Sequence, residues 1–493
     1  MKNLKKSCLI FLLSLIFLSV NIFSVFGAQK PYHELFEEAT EKNRSIDAPT
    51  DSLNQYRYHF KNGKELFTQE DADIIKFFNF NEPATVTVGK EITKENARSE
   101  VEWLFRLLRT QYGLYTWFGG DEVFEKAKKE ILSQLDGEGT IPTIEYFNLL
   151  INKLDFIEDS HFNINGKNFK PDVILYSNEE KNFFKKESDF YSDEACTTKV
   201  LSIDGQSPEN YIKKAIGQNG EITYYLYATE KKQTIIYKKI QYENGKEETI
   251  SLKPSKYIDS LDKEKNIRYI LKNEIPYAIF NTFNFYNRNE KSYRTILNTA
   301  EKIKQYPLSI IDISANRGGN MQIALDWFES YTKQKAQSNF YMLRIKPQGA
   351  WKNAVYPSDF EEYEQAMKDF GLTADGEYYF SAPQKQFVKN KDTAIILLTS
   401  RNTQSAGEIF TDTIKNMENV LTIGTNTGGV MINAANYGIA LPYSGMYFQF
   451  GECLNYWNPN YFKEGYGIEP DIYLTGENLE KRLQLFINHY SSE

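Results

Sequence analysis

Cysteine and histidine are scarce in this chain, at three and four among 493 residues. Cys8 lies in an apolar leader, which leaves Cys196 and Cys453 for the folded part. That excludes a disulfide-stapled scaffold, while pairing of the two and burial as free thiols both stay open. The histidines (His33, His59, His161 and His489) are scattered, and no HExxH run occurs, so no zinc set is formed and no metal or cofactor is expected. Positive charge is also in deficit, with 58 Lys and Arg against 66 Asp and Glu, a formal net charge of −8. Lysine and glutamate are interspersed, and the lack of a basic stripe or stacking motif argues against a nucleic-acid partner.

Long apolar runs are absent except for CLIFLLSLIFLSVNIF near the start. Lys2, Lys5 and Lys6 precede it, Val25-Phe26-Gly27 offers a cleavage point, and the polar AQKPYHE follows. Residues 1–27 therefore read as a signal peptide, the run being short for a membrane span. The expectation is a secreted, extracellular or cell-surface protein with no stable membrane insertion after processing; a retained anchor is the alternative. Oligomeric state is not legible.

The rest is long enough for two or three domains. Residues 28–92 are a polar, turn-rich lead-in, with Pro31, Pro49 and Pro83. Residues 93–169 carry apolar stripes at helical spacing: Val101, Leu104 and Leu108, then Phe124, Ala127, Ile131 and Leu135, then Phe147, Leu150, Ile151 and Leu154. Residues 170–256 turn to short β-like runs, among them VLSIDGQ at 200–206 with its Asp-Gly turn. Residues 257–493 alternate strands with helices, which predicts an α/β layer of buried, largely parallel strands.

Four segments carry chemistry. In TAIILLTSRNTQSAGEIFTDTI (393–414) a buried-type strand leads through a polar loop to Ser405, where a helix begins. A serine there sits in the field of unpaired helix N–H groups, which suits a nucleophile; an N-cap serine is the plainer reading. In IIDISANRGGNM (310–321) a strand ends in Asp312, and a Gly-Gly pair lets backbone N–H groups approach a ligand, or simply makes a tight turn. In LDFIEDSHFNI, His161 follows a well-formed helix, the one histidine placed where a core would hold it rigidly; Asp159 makes a turn or steadies the loop. In FKEGYGIEPDIYL (462–474), Glu464 heads a Gly-punctuated run and is a candidate to orient an imidazole, with Glu469 and Asp471 as competitors.

Together these segments resemble the C-terminal-processing (tail-specific) serine peptidases, family S41. DISANRGG, TQSAGE, GTNTGG (424–429) and EGYGIEPD match the family's motifs in order across about 160 residues. The resemblance implies a crotonase/Clp-protease-like spiral core, an N-terminal helical region and an inserted PDZ-like β module. VLSIDGQSPENYI is similar to the late strand and helix of that module, whereas its carboxylate-binding loop looks shortened. One departure selects the mechanism. The Ser-Lys branch places its lysine base in the turn after the nucleophile helix, and here Val430 stands there. The chain resembles instead the Ser-His-Glu branch, which includes the tricorn core protease and the chlamydial protease-like activity factor.

The implied activity is a secreted serine endopeptidase acting on protein or peptide substrates. Ser405 would be the nucleophile, His161 the base and Glu464 its orienting carboxylate, with the oxyanion held by the N–H of Ala406 and of Gly318 or Gly319. The rival readings are a catalytically silent peptide- or lipid-binding protein on the same fold, and a surface interaction protein using the β module. Aromatic residues before Glu464 (Tyr447, Phe448, Phe450, Tyr456, Trp457, Tyr461 and Phe462) either line an apolar cleft or pack under a long loop.

Overall fold

The structure is a computed structural model that describes residues 31–50, 52–59, 67–77, 89–285, 290–336, 338–356, 360–383, 387–391 and 393–491. The expected signal peptide, 1–27, lies outside the described residues. Helix α1 (Pro31–Arg44) opens the described chain and buries Phe36 and Ala39 against Leu421, Ile423 and Phe486. Part of the expected lead-in is thus helix docked on the core.

Helices α2 (Lys94–Gln111), α3 (Gly120–Gln134) and α4 (Thr143–Lys153) follow. Thr93 caps α2 by accepting from the Asn96 N–H at 3.1 Å, satisfying one of the orphan donors at a helix start. Ala97, Val101, Leu104 and Leu108 then form one buried face at intervals of three and four. In α4 the buried apolar residues are Tyr146, Leu149 and Leu150; Phe147 and Ile151 of the expected stripe are only half-buried.

A short strand β1 (Asn163–Ile164) leads into a β-rich segment. Its strands are β2 (Val173–Lys186), β3 (Val200–Ile203), β4 (Ile212–Ile216), β5 (Ile222–Lys231), β6 (Ile236–Tyr242) and β7 (Glu247–Pro254). Next come β8 (Ile275–Phe280), α5 (Lys291–Ile303), β9 (Leu308–Asp312), α6 (Gln322–Thr332) and β10 (Phe340–Ile345). The chain continues with β11 (Ala394–Thr399), α7 (Ala406–Lys415), β12 (Val420–Gly424), β13 (Asn433–Ala440), β14 (Tyr447–Trp457), β15 (Ile472–Tyr473) and α8 (Leu479–Ser491).

Strands β8, β9, β11, β12 and β15 lie side by side and all pair in parallel. Their burial on both faces explains the near-continuous apolar runs IIDIS and AIILL. The sheet runs on through a single parallel register, Tyr473 with Ala215, into β4, β5, β2, β7, β6 and β3. A second, antiparallel sheet holds β13, β14 and β10, and β1 pairs with β14 through Ile164 and Phe448.

The helices α2 to α4 pack on this second sheet, in one core with Phe162, Phe448 and Phe450. Of the aromatic run before Glu464, Phe448, Phe450, Tyr456, Trp457 and Phe462 are buried, so these rings pack beneath the loop and form no open cleft. Cys196 and Cys453 are both free thiols; Cys453 is buried, which pushes its thiol up to about 12. Among the described residues no helix is long and apolar enough to cross a membrane.

Candidate active site

Parallel strands leave their carboxyl ends at one edge of a sheet, where the following loops converge. After β9 comes the Ser314–Gly319 turn, after β11 the turn carrying Ser405, and after β12 the 425–431 turn. Buried Asp312 fixes the first: it accepts from the Ser314 N–H at 2.9 Å, the Ser314 hydroxyl at 2.6 Å and the Leu261 N–H at 2.7 Å. Burial is the main influence on its carboxyl and raises its pKa.

Ser405 occupies the N-cap position of α7 with φ 51°, a left-handed conformation that a non-glycine residue adopts only under constraint. Glu408 supplies that constraint. Its carboxylate accepts from the N–H groups of Ser405 (3.1 Å), Gly429 (2.8 Å) and Val430 (2.8 Å), and from the Thr427 hydroxyl (2.6 Å). The nucleophile turn and the GTNTGG turn are therefore joined by one buried acid, whose pKa desolvation raises. Arg401, also buried, donates to the carbonyls of Thr427, Gly465 and Tyr466, linking the same turn to the loop of Glu464.

His161 arrives from the opposite side, on the loop between α4 and β1. Asp159 holds that loop by accepting from the His161 N–H (2.8 Å), the Tyr112 hydroxyl (2.8 Å) and Asn433 Nδ2 (2.6 Å). His161 Nε2 lies 3.3 Å from Ser405 Oγ, within hydrogen-bond reach although the residues are 244 apart in sequence. Burial lowers the imidazole pKa, and the charge of Asp159 opposes that only in part. The ring thus stays neutral near pH 7, with Nε2 available to accept a proton.

Glu464 is buried behind His161 but is not hydrogen-bonded to its ring. One oxygen accepts from the Ser160 N–H at 3.0 Å, the other from the Met431 and Ile432 N–H groups at 3.0 and 2.9 Å. His161 Nδ1 is buried with no hydrogen-bond partner among the described residues. The reason is local: three backbone donors from two segments already claim the carboxylate, which braces the residue before the histidine. Burial, and then the neighbouring charge of Asp159, push the Glu464 carboxyl up to about 8. Its competitors lie elsewhere: Glu469 pairs with Lys213, and Asp471 binds Thr422 and Lys415.

The candidate oxyanion donors separate in the same way. The Gly318 N–H is spent on Asn316 Oδ1 at 2.9 Å, so Gly318 is not a free donor. The N–H groups of Gly319 and Ala406 have no partner among the described residues. Gly318 has a steric task instead: a Cβ there would stand 2.7 Å from the Ser405 Cβ and 3.1 Å from the Ala406 nitrogen, at φ +98°. His33, His59 and His489 are not in the site, and no group of three or more potential metal ligands occurs among the described residues.

Sequence reasoning assigned no part to Glu408, Arg401 or Ser160. Glu408 had a readable sign, the Ser-x-x-Glu spacing of a capping box. Arg401 and Ser160 had none, because both act through backbone groups.

Residues 276–474 match the family model "Peptidase family S41". That span holds Ser405, Glu464 and the parallel layer, while His161 lies before it. No curated protein matches the chain. Among solved structures it is similar to mature CPAF complexed with lactacystin, at 14% identity over 81% of this chain and 99% of that one, with TM-score 0.42. It is similar to the photosystem II D1 C-terminal processing protease at 10% identity, over 78% and 93% of the two chains, with TM-score 0.35. The tricorn protease is similar at 14% identity, over 81% of this chain and 37% of that one, with TM-score 0.36. Residues 276–474, where a nucleophile-type serine faces the imidazole of His161, match peptidase family S41, and the chain reads as a serine-type peptidase.

Proposed function

We propose that the protein is a secreted endopeptidase that cleaves peptide bonds through an acyl-enzyme on Ser405. The observation that carries this reading is the 3.3 Å approach of His161 Nε2 to Ser405 Oγ, in a pocket that keeps the imidazole neutral. Ser405 Oγ attacks the scissile carbonyl carbon as its proton passes to Nε2. The N–H groups of Ala406 and Gly319 hold the oxyanion, each such donor being worth on the order of 10² to 10³ in turnover. Collapse of the adduct expels the amine with that proton and leaves an ester on Ser405. A water that gives its proton to Nε2 then hydrolyses the ester.

Asp159 and Glu464 place carboxyl groups near the cation that forms on His161. An ionised carboxylate offers about four acceptor positions. Glu464 uses three of them; burial keeps its carboxyl protonated below about 8 in the free protein, and a cation forming on His161 favours the ionised form, whose unclaimed position suits Nδ1. In the same reading the core is the crotonase/Clp-protease-like spiral (257–493), residues 93–169 are its helical domain and 170–256 its PDZ-like module. The leader at 1–27 directs export.

The test is a fluorophosphonate serine probe with the Ser405→Ala and His161→Ala variants. Labelling at Ser405 that both variants lose, with proteolysis, is expected. An unlabelled Ser405 in a protein that still cleaves peptides would refute the assignment, and no labelling with no cleavage would favour the silent binding protein.

A further inference from the structure

A cleft of about 600 Å³ lies where the end of α4, the turn after β1, the end of β5 and the Glu464 loop meet. Five lysines line it: Lys167, Lys170, Lys231, Lys232 and Lys463. None of the five forms an ion pair or a side-chain hydrogen bond among the described residues, whereas many lysines elsewhere do, Lys153, Lys181 and Lys238 among them. Lys463 does lie over the Tyr466 ring at 4.4 Å. The acids on the walls, Asp155, Glu158 and Asp172, are fewer and are likewise outside any ion pair among the described residues. Five unpaired cations against three carboxylates leave a local excess of positive charge in a chain of net charge −8, which favours an anionic ligand.

The cleft is built into the catalytic region. Asn168 donates its side-chain amide to the Ser160 carbonyl and accepts from the Lys170 N–H at 2.6 Å, which ties the wall of the cleft to the His161 loop. On the other side Lys463 immediately precedes Glu464. The Lys232 N–H donates to the Asp172 carbonyl at 3.0 Å and ties the β5 end to the same wall. Lys170 is the innermost cation: desolvation, and then the nearby Arg401, lower its ammonium to about 8, while the charges of Glu408 and Glu464 act the other way. A bound anion would restore what burial takes from it.

We infer that this cleft is a subsite for carboxylates of the substrate, so that the enzyme favours polypeptide segments rich in aspartate and glutamate. The inference rests on the peptidase reading for the identity of the ligand, since an extended acidic chain can run from the cleft along the loop that carries Glu464. A carboxylate spreads its charge over two oxygens, and several lysines on separate walls suit a run of such groups better than one compact ion.

The experiment uses the full chain carrying Ser405→Ala, so that binding is read without cleavage. Fluorescence anisotropy compares a labelled peptide containing a run of glutamates with its glutamine counterpart. The acidic peptide should bind about tenfold more tightly at low salt and lose that margin as salt rises. The paired substitution Lys231→Glu/Lys232→Glu, at two exposed positions, should weaken the acidic peptide by about three- to tenfold and leave the neutral one unchanged. Equal binding of the two peptides, or no response to the charge reversal, overturns the inference. Displacement of the acidic peptide by inorganic phosphate at matched charge concentration would reassign the cleft to small anions. In the wild-type enzyme the same margin should appear in kcat/KM. If the Ser405 assignment is wrong, the Ser405→Ala protein cleaves as well as the wild type, or the wild type does not cleave at all, while the binding difference remains.

Discussion

Replacing Glu464 by glutamine removes a buried group whose carboxyl is held at about 8, against 4.5 for an ordinary glutamate. Between those two values the folded protein binds a proton that the unfolded chain releases, so this group's contribution to stability falls as pH rises. At about 1.4 kcal/mol per pH unit the full effect approaches 5 kcal/mol. For a simple two-state linkage, roughly 2–3 kcal/mol is lost from pH 5 to 7 and roughly 1 kcal/mol more from pH 7 to 9. Burial sets the size, and no exposed surface screens it, since Glu464 is only 7% accessible. His161 acts in the opposite sense: its lowered pKa makes stability fall as pH drops below 6.5, because the unfolded chain then takes up the proton. Comparing Glu464→Gln with Glu464, both in the Ser405→Ala protein to prevent self-cleavage, cancels the histidine. From denaturant midpoints, the stability of the parent relative to the variant should decline from pH 5 to pH 9. Glutamine cannot accept from all three amides at once, so the variant also loses about 1–3 kcal/mol at every pH for a buried donor left facing an N–H. Parallel curves with no difference in slope would refute the raised carboxyl.

The activity of the wild-type enzyme should show an acid limb governed by His161 and displaced below the ordinary histidine value of 6.5; a kcat/KM profile whose limb lies above 6.5 would contradict the buried, neutral imidazole. Gly318→Ala should cost about a hundredfold or more in kcat and about 1–3 kcal/mol in stability, because the new methyl meets Ser405 and the backbone has φ +98°; near-normal turnover in steady-state assays would show that the turn can yield.

Much of the architecture was legible before any coordinates. The apolar runs at 308–314 and 394–398, with helical spacing after each, imply buried parallel strands, because a strand covered on both faces has no polar side to show. The stripe of α2 was readable for the same reason. Of the α4 stripe, Leu150 and Leu154 are buried as expected, while Tyr146 and Leu149 take the inward places expected of Phe147 and Ile151, since only the neighbouring packing chooses which of two adjacent apolar residues faces inward. The extra helix at Pro31–Arg44 was hidden by its polarity, as only two of its four buried residues, Phe36 and Ala39, are apolar, beside Thr40 and Asn43.

Sequence alone determined the candidate residues: a serine at a strand-to-helix junction, one histidine in a well-ordered setting and a glutamate heading a glycine-punctuated turn. Only tertiary structure decided how they meet. It put Ser405 and His161 within bonding distance, spent the Gly318 N–H on Asn316 and gave Glu464 to three backbone amides, leaving Nδ1 unpartnered. It also gathered five unpaired lysines from distant segments into one cleft. The physical reason is that local pattern encodes which face of an element is buried, whereas partners for a buried polar group are assigned by whichever donors the packed chain brings within about 3 Å.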